Sequence, residues 1–230
     1  MLYLATPSGA DVRAAMQAGL LACMTTPAQG NVIPPDALYA CDNGKFGKGW
    51  PGEQAWFAWL TATVDRYGPD RCLWAVAPDV PMDATATLAE SLPWLEPLRA
   101  LGIPAAFAAQ DGSQHGLIPW DSVDVLFLAG STEWKTSPAA HRLAGEAQER
   151  GLAVHMGRVN SRRRLRIAQA FGCTSCDGTY LAVDETRGCP GGRSGSRGLS
   201  RRIGQASPRS AWNRHRSGVA DPPGSDRRPV

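Results

Sequence analysis

Asp42, Asp79 and Asp177 each close a short apolar run, and Gln110, Gly130 and Gly157 close three others. One carboxylate can attack a carbon centre while a second exchanges a proton. A carboxamide or a further carboxylate can hydrogen-bond the edge of a flat heterocycle, and a glycine lets backbone approach it closely. Each residue alone has a simpler use. An Asp after a strand is most often a turn former or helix cap, a Gly there is usually a turn, and His155 reads as a satisfied, half-buried histidine. Capping does not account for so many of them falling on equivalent positions.

Those positions are set by a repeating theme. Eight near-continuous apolar runs span 2–6, 20–25, 37–42, 72–79, 105–110, 125–130, 152–157 and 173–177, the pattern of strands buried on both faces of a parallel sheet. Helical segments are expected over 9–19, 52–67, 83–101, 137–151 and 160–172, opened by capping types such as Asp83 and Ser137 and stopped by glycines such as Gly151 and Gly172. Strands alternating with helices give an α/β fold, and eight of them favour a closed (β/α)8 TIM-like barrel over an open sheet. In such a barrel, catalytic groups gather at the C-terminal ends of the strands, where the residues named above fall. The connections after runs two, five and six read as short, and the eighth helix has no candidate, so the helix ring is expected to be incomplete.

The chain divides into a barrel domain over 1–186 and a tail over 187–230. The tail holds ten of the 24 basic residues and two of the 21 acidic ones, is rich in Gly, Ser and Pro, and leaves the body mildly acidic. So few apolar groups do not offset the entropy of ordering, and the tail is expected to be disordered. No apolar run reaches the roughly 18 residues of a membrane span, and Asp11 and Arg13 interrupt the N-terminal apolar stretch. The expectation is a cytoplasmic protein without a membrane partner. Five of the six cysteines lie within strand-like runs, as buried thiols do. Cys173 and Cys176 form a lone C-x-x-C with no second pair, so no metal is expected.

The ordered motifs carry a resemblance. Asp42-Asn43-Gly44-Lys45-Phe46, Ala-Pro-Asp79-Val-Pro, Phe107-Ala-Ala-Gln110-Asp-Gly, Ala129-Gly130, Met156-Gly157 and Gly172-Cys-Thr-Ser-Cys-Asp177 are similar, in order and strand by strand, to segments of the queuine/archaeosine-type tRNA-guanine transglycosylases. They also resemble the phage and bacterial relatives of those enzymes that place 7-deazaguanines in DNA. The likeness covers roughly residues 37 to 180. It implies exchange of guanine for a free 7-deazaguanine base such as preQ0, through a covalent aspartyl-glycosyl intermediate and without a cofactor. Asp177 would be the nucleophile and Asp42 the acid/base. Asn43, Asp79, Gln110, Gly157 and the Gly130 amide would bind the base, between Phe46 and Met156. A base inside a duplex must be extruded before it can react, and Lys45, Lys48, Arg158, Arg162 and Arg163 are the expected phosphate contacts.

The chain departs from the tRNA enzymes after the nucleophile, where their Cys-x-Cys-x-x-Cys…His zinc motif has no counterpart: only Cys189 and His215 follow. DNA is therefore the expected polymer and tRNA the alternative. A nonenzymatic nucleic-acid-binding protein on a decayed barrel and a hydrolase of small N-glycosides are the rivals. The resemblance implies a homodimer for many relatives. Trp134 and Lys135, at the mouth, match nothing in the family.

Overall fold

The computed structural model describes residues 1–178. The tail expected over 187–230, with Cys189 and His215, lies outside the described residues, as does the position of an eighth helix.

Eight parallel strands close into a barrel in sequence order: β1 (Leu2–Ala5), β2 (Leu21–Thr25), β3 (Tyr39–Cys41), β4 (Cys72–Val76), β5 (Ala105–Ala109), β6 (Val125–Leu128), β7 (Ala153–Met156) and β8 (Ser175–Asp177). Closure is made by β8 pairing with β1, Tyr3 opposite Cys176. Six α-helices lie between them: α1 (Ala10–Gln17), α2 (Glu53–Tyr67), α3 (Ala84–Ala100), α4 (Thr132–Lys135), α5 (Pro138–Glu149) and α6 (Arg162–Ala170). Side-chain caps start four of them. Asp83, Ser131, Ser137 and Ser161 each accept from a backbone N–H three residues on. The connections after β2 and β5 carry no α-helix. That after β6, read as short from the sequence, holds α4 and α5 in full. No helix among the described residues is long and apolar enough to cross a membrane.

The alternation of each strand divides its residues between two cores. Outward positions pack under the helices, where Tyr39, Phe107, Leu126, Val154 and Met156 meet helix residues such as Trp56, Leu95 and Leu143. Inward positions fill the barrel: Leu2 and Leu4, Ala22 and Met24, Leu38 and Ala40, Ala106 and Ala108, Val125 and Phe127, and Ala153. The register shift between β3 and β4, with Tyr39 opposite Cys72 but Cys41 opposite Ala75, adds one residue to β4. Leu73 and Trp74 both lie in the inner core as a result, as a bulge permits. Trp74 then packs against Phe127 and His155 at ring-centroid distances of 5.5 and 4.7 Å. The surrounding alanines make room for these three rings.

Candidate active site

The inward register, continued past the strand ends, builds the site. Two residues beyond the inward Ala40, Ala108 and Phe127 come Asp42, Gln110 and Ala129, and two beyond His155 and Ser175 come Gly157 and Asp177. All five line one cavity of about 100 Å³ at the C-terminal mouth, with Asn43, Phe46, Asp79 and Arg158 from the loops, over a floor that includes Val76 and Ala108. Typical small-molecule pockets hold about 300–1,000 Å³. A ligand of that size would enter only if the loops moved apart.

Asp177 is held by one oxygen. Its Oδ1 lies 3.0 Å from His155 Nε2 and accepts from the Arg158 amide at 3.2 Å. An ionised carboxylate only accepts, so the His155 proton belongs on Nε2, and Nδ1 then accepts from the Ser175 hydroxyl at 2.9 Å. His155 has no solvent exposure. It is a satisfied histidine, as expected, but one of its two partners is Asp177. Oδ2 has no hydrogen-bond donor among the described residues, which leaves it the oxygen free to react.

Across the cavity, Asp42 is half-buried and accepts from the Gly44 amide at 2.7 Å. Burial pushes its carboxyl up to about 7, opposed by that hydrogen bond and assisted by the negative charges of Asp177 and Asp79. Asp79 is also raised by burial, against the pull of Asn43, Lys45 and Gln110. Its Oδ1 accepts from Asn43 Nδ2 at 2.8 Å and its Oδ2 from Gln110 Nε2 at 2.6 Å. Gln110 is fixed in turn by the Met82 amide. Asn43, Asp79 and Gln110 are thus one buried, pre-oriented polar wall.

Three expected positions differ. Met156 has outward parity on β7 and is fully buried in the core under the helices, so it offers no face to the cavity. What stands on Phe46 is the Arg158 guanidinium, 4.0 Å from the ring centroid. Gly130 also falls outside the lining. Its amide donates to the Ala109 carbonyl at 3.1 Å, and a Cβ there would lie 2.6 Å from Asp111 Oδ2 and from Trp134 Cε3. It is a glycine for packing, and Ala129 takes its place in the wall. Lys45 is paired with Glu90 of α3 and sits 5.0 Å over the Trp50 ring, which draws it away from a phosphate. Lys48, Arg162 and Arg163 are exposed. Arg158 reaches inward to the carbonyls of Ala129 and Gly130.

Two residues near the site have roles that their motifs did not suggest. His155 could be linked to Asp177 only through the β7–β8 register, His155 opposite Ser175. Lys135 is fully buried, and its Nζ donates to the Gly157 carbonyl at 2.7 Å. A lysine in an otherwise helix-forming Thr-Glu-Trp-Lys turn gives no such signal.

Gly157 is a close-approach glycine. A Cβ there would stand 2.5 Å from Phe127 Cε2 and 3.4 Å from Asp177 Oδ1. Overpacking of this kind costs about 1–3 kcal/mol, so Gly157→Ala is expected to melt roughly 2–10 °C lower. An unchanged Tm in thermal unfolding would show that Phe127 yields freely.

Among the described residues, no group of three or more His, Cys, Asp or Glu side chains is placed to hold a metal ion. Cys173 and Cys176 are buried, and burial pushes the Cys173 thiol up to about 12.

The fold and site define an α/β barrel with an acidic cavity at its C-terminal mouth. No family model and no curated protein matches the chain. Solved structures similar to it include the Bacillus subtilis YkuI protein, with an EAL domain, in complex with c-di-GMP and calcium (14% identity, TM-score 0.45, covering 80% of this chain and 44% of that one). Others are L-talarate dehydratase from Polaromonas sp. JS666 (13%, 0.44, 79% and 54%) and a putative glycerophosphoryl diester phosphodiesterase from Agrobacterium tumefaciens (16%, 0.42, 66% and 60%). The chain spans 60% or less of each of these proteins. The barrel rests on its own strand pairing, not on these likenesses.

Proposed function

We propose that this protein is a DNA-guanine transglycosylase that replaces guanine by a 7-deazaguanine of the preQ0 type. The observation that carries the reading is the pairing of two unlike carboxylates in one cavity. Asp177 is anchored through Oδ1 with Oδ2 unbonded among the described residues, and it shares the cavity with Asp42, whose proton is held up to about 7. A carboxyl that keeps its proton toward neutral pH suits an acid/base, and a carboxylate anchored through one oxygen has the other left to attack.

Asp177 Oδ2 attacks C1′ of the target nucleotide, the C1′–N9 bond breaks, and its electron pair leaves with guanine. The proton on Asp42 goes to the departing purine. The incoming deazaguanine then gives its N9 proton to Asp42, and its N9 attacks C1′. The bond to Asp177 breaks, which restores both carboxylates. Two inversions give net retention, as in retaining glycosidases. Each oxygen of Asp79 has a second lone pair, so Asp79, with Asn43 and Gln110, can still accept from the base's amide and amino edge. A flat base inserts against Phe46 by displacing Arg158, which frees a guanidinium for the flanking phosphate. Lys48, Arg162 and Arg163 supply further positive charge at the mouth. DNA is the polymer proposed and tRNA the alternative that the test below separates from it.

The test is to incubate the protein with duplex DNA or with tRNA, each with preQ0, and to analyse the nucleosides by mass. Deazaguanosine in DNA is the expected product. Product only in tRNA would change the polymer, and cleavage of free nucleosides without exchange would identify an N-glycoside hydrolase instead.

A further inference from the structure

The peptide joining Gly157 to Arg158 is held at both ends. Its N–H donates to Asp177 Oδ1 at 3.2 Å, and its C=O accepts from Lys135 Nζ at 2.7 Å. Lys135 closes α4, has no solvent exposure and does not line the cavity. Arg158 has φ of 56°, a left-handed conformation that L side chains rarely adopt. The orientation of this peptide is therefore imposed by its partners and not by its own preference. A buried ammonium is costly unless it is hydrogen-bonded, and this one donates to a single backbone carbonyl, one peptide away from the proposed nucleophile.

We propose that Lys135 is a positioning residue for Asp177, acting through the Gly157–Arg158 peptide: its ammonium fixes and polarises the carbonyl whose amide N–H holds the carboxylate. Hydrogen bonds in such a chain strengthen one another in a low-dielectric interior. The effect on rate rests on Asp177 being the nucleophile, whereas the relay itself does not. The charged groups facing Lys135 are Arg158 from the β7–α6 loop, Arg164 from α6 and Asp177 from β8. Burial, Arg158 and Arg164 lower its titration to about 7, and Asp177 opposes them. The relay is thus strongest below neutral pH, where the ammonium is intact, and weakens as pH rises through about 7.

The test follows the Arg158 amide proton and the Lys135 Nζ by NMR in the full-length protein across neutral pH. The Arg158 resonance is expected to move with the same midpoint as Lys135 and to lose that inflection in Lys135→Met. In Asp177→Asn, which leaves Lys135 in place, the Lys135 midpoint is expected to fall. This second variant decides the matter if Lys135→Met does not fold. In Lys135→Met, kcat for base exchange should drop about tenfold with KM little changed, as for an interaction made in the transition state. An Arg158 amide indifferent to Lys135 titration, or a Lys135 midpoint unmoved by Asp177→Asn, would overturn the relay. If the NMR couplings hold while no base exchange is seen in any polymer, the positioning role stands and the proposed reaction falls.

Discussion

Asp177→Asn is expected to lose base exchange by at least about 10⁴-fold, the scale on which removing a covalent nucleophile is felt. Asparagine keeps an Oδ1 that can still accept from His155 and from the Arg158 amide, the two contacts that place the side chain in the wild type. The fold and the cavity should therefore survive while the attacking oxygen is lost. Single-turnover exchange on extruded-base DNA separates this chemical loss from binding, which should change little. Residual exchange within about tenfold of wild type would mean that Asp177 does not form the covalent bond.

Asp42→Asn has two opposed effects. Exchange should fall by about 10²–10⁴-fold, the usual contribution of a general acid or base, and the wild-type decline in rate as pH rises through about 7 should shrink to the smaller part, about tenfold, that Lys135 contributes. Stability should rise. The folded protein holds the Asp42 proton up to about 7 against 3.8 ordinarily. Between those values the folded state binds more protons than the unfolded state, so stability falls as pH rises. Above about 7 the whole penalty is present. With allowance for solvent at a half-buried site, removing it is worth about 2–4 kcal/mol. Urea unfolding of both proteins should show the variant more stable at alkaline pH, with the gap closing toward acid pH. Equal stability throughout would mean that the Asp42 charge is solvated.

The barrel was legible because parallel strands buried on both faces read as unbroken apolar runs, and all eight were recovered with ends displaced by a few residues. In the β6–β7 connection the helix expected over 137–151 is α5, whereas α4 stayed hidden, because the Thr132–Lys135 turn is too short to show a period. Within the site, the strand-end rule brought Asp42, Asn43, Phe46, Asp79, Gln110, Gly157, Arg158 and Asp177 to one cavity. Strand parity, also readable in advance, would have moved Met156 and Gly130 to the outer face and put Ala129 in the wall. The remaining features depend on contacts that no local pattern encodes. Lys45, in the loop after β3, meets Glu90 of α3, and His155 meets Asp177 across two strands. Trp74 enters the barrel through a bulge visible only in the β3–β4 register.

The most direct measurement of covalent base exchange does not require the incoming deazaguanine to be known. Microscopic reversibility lets expelled guanine return, so isotopically labelled free guanine must enter DNA whenever the aspartyl-glycosyl intermediate forms. Label in the deoxyguanosine of DNA treated with wild-type protein, and none with Asp177→Asn, is the predicted result. Folded wild-type protein that leaves DNA and tRNA alike unlabelled, or equal labelling by both proteins, would contradict a base exchange carried by Asp177.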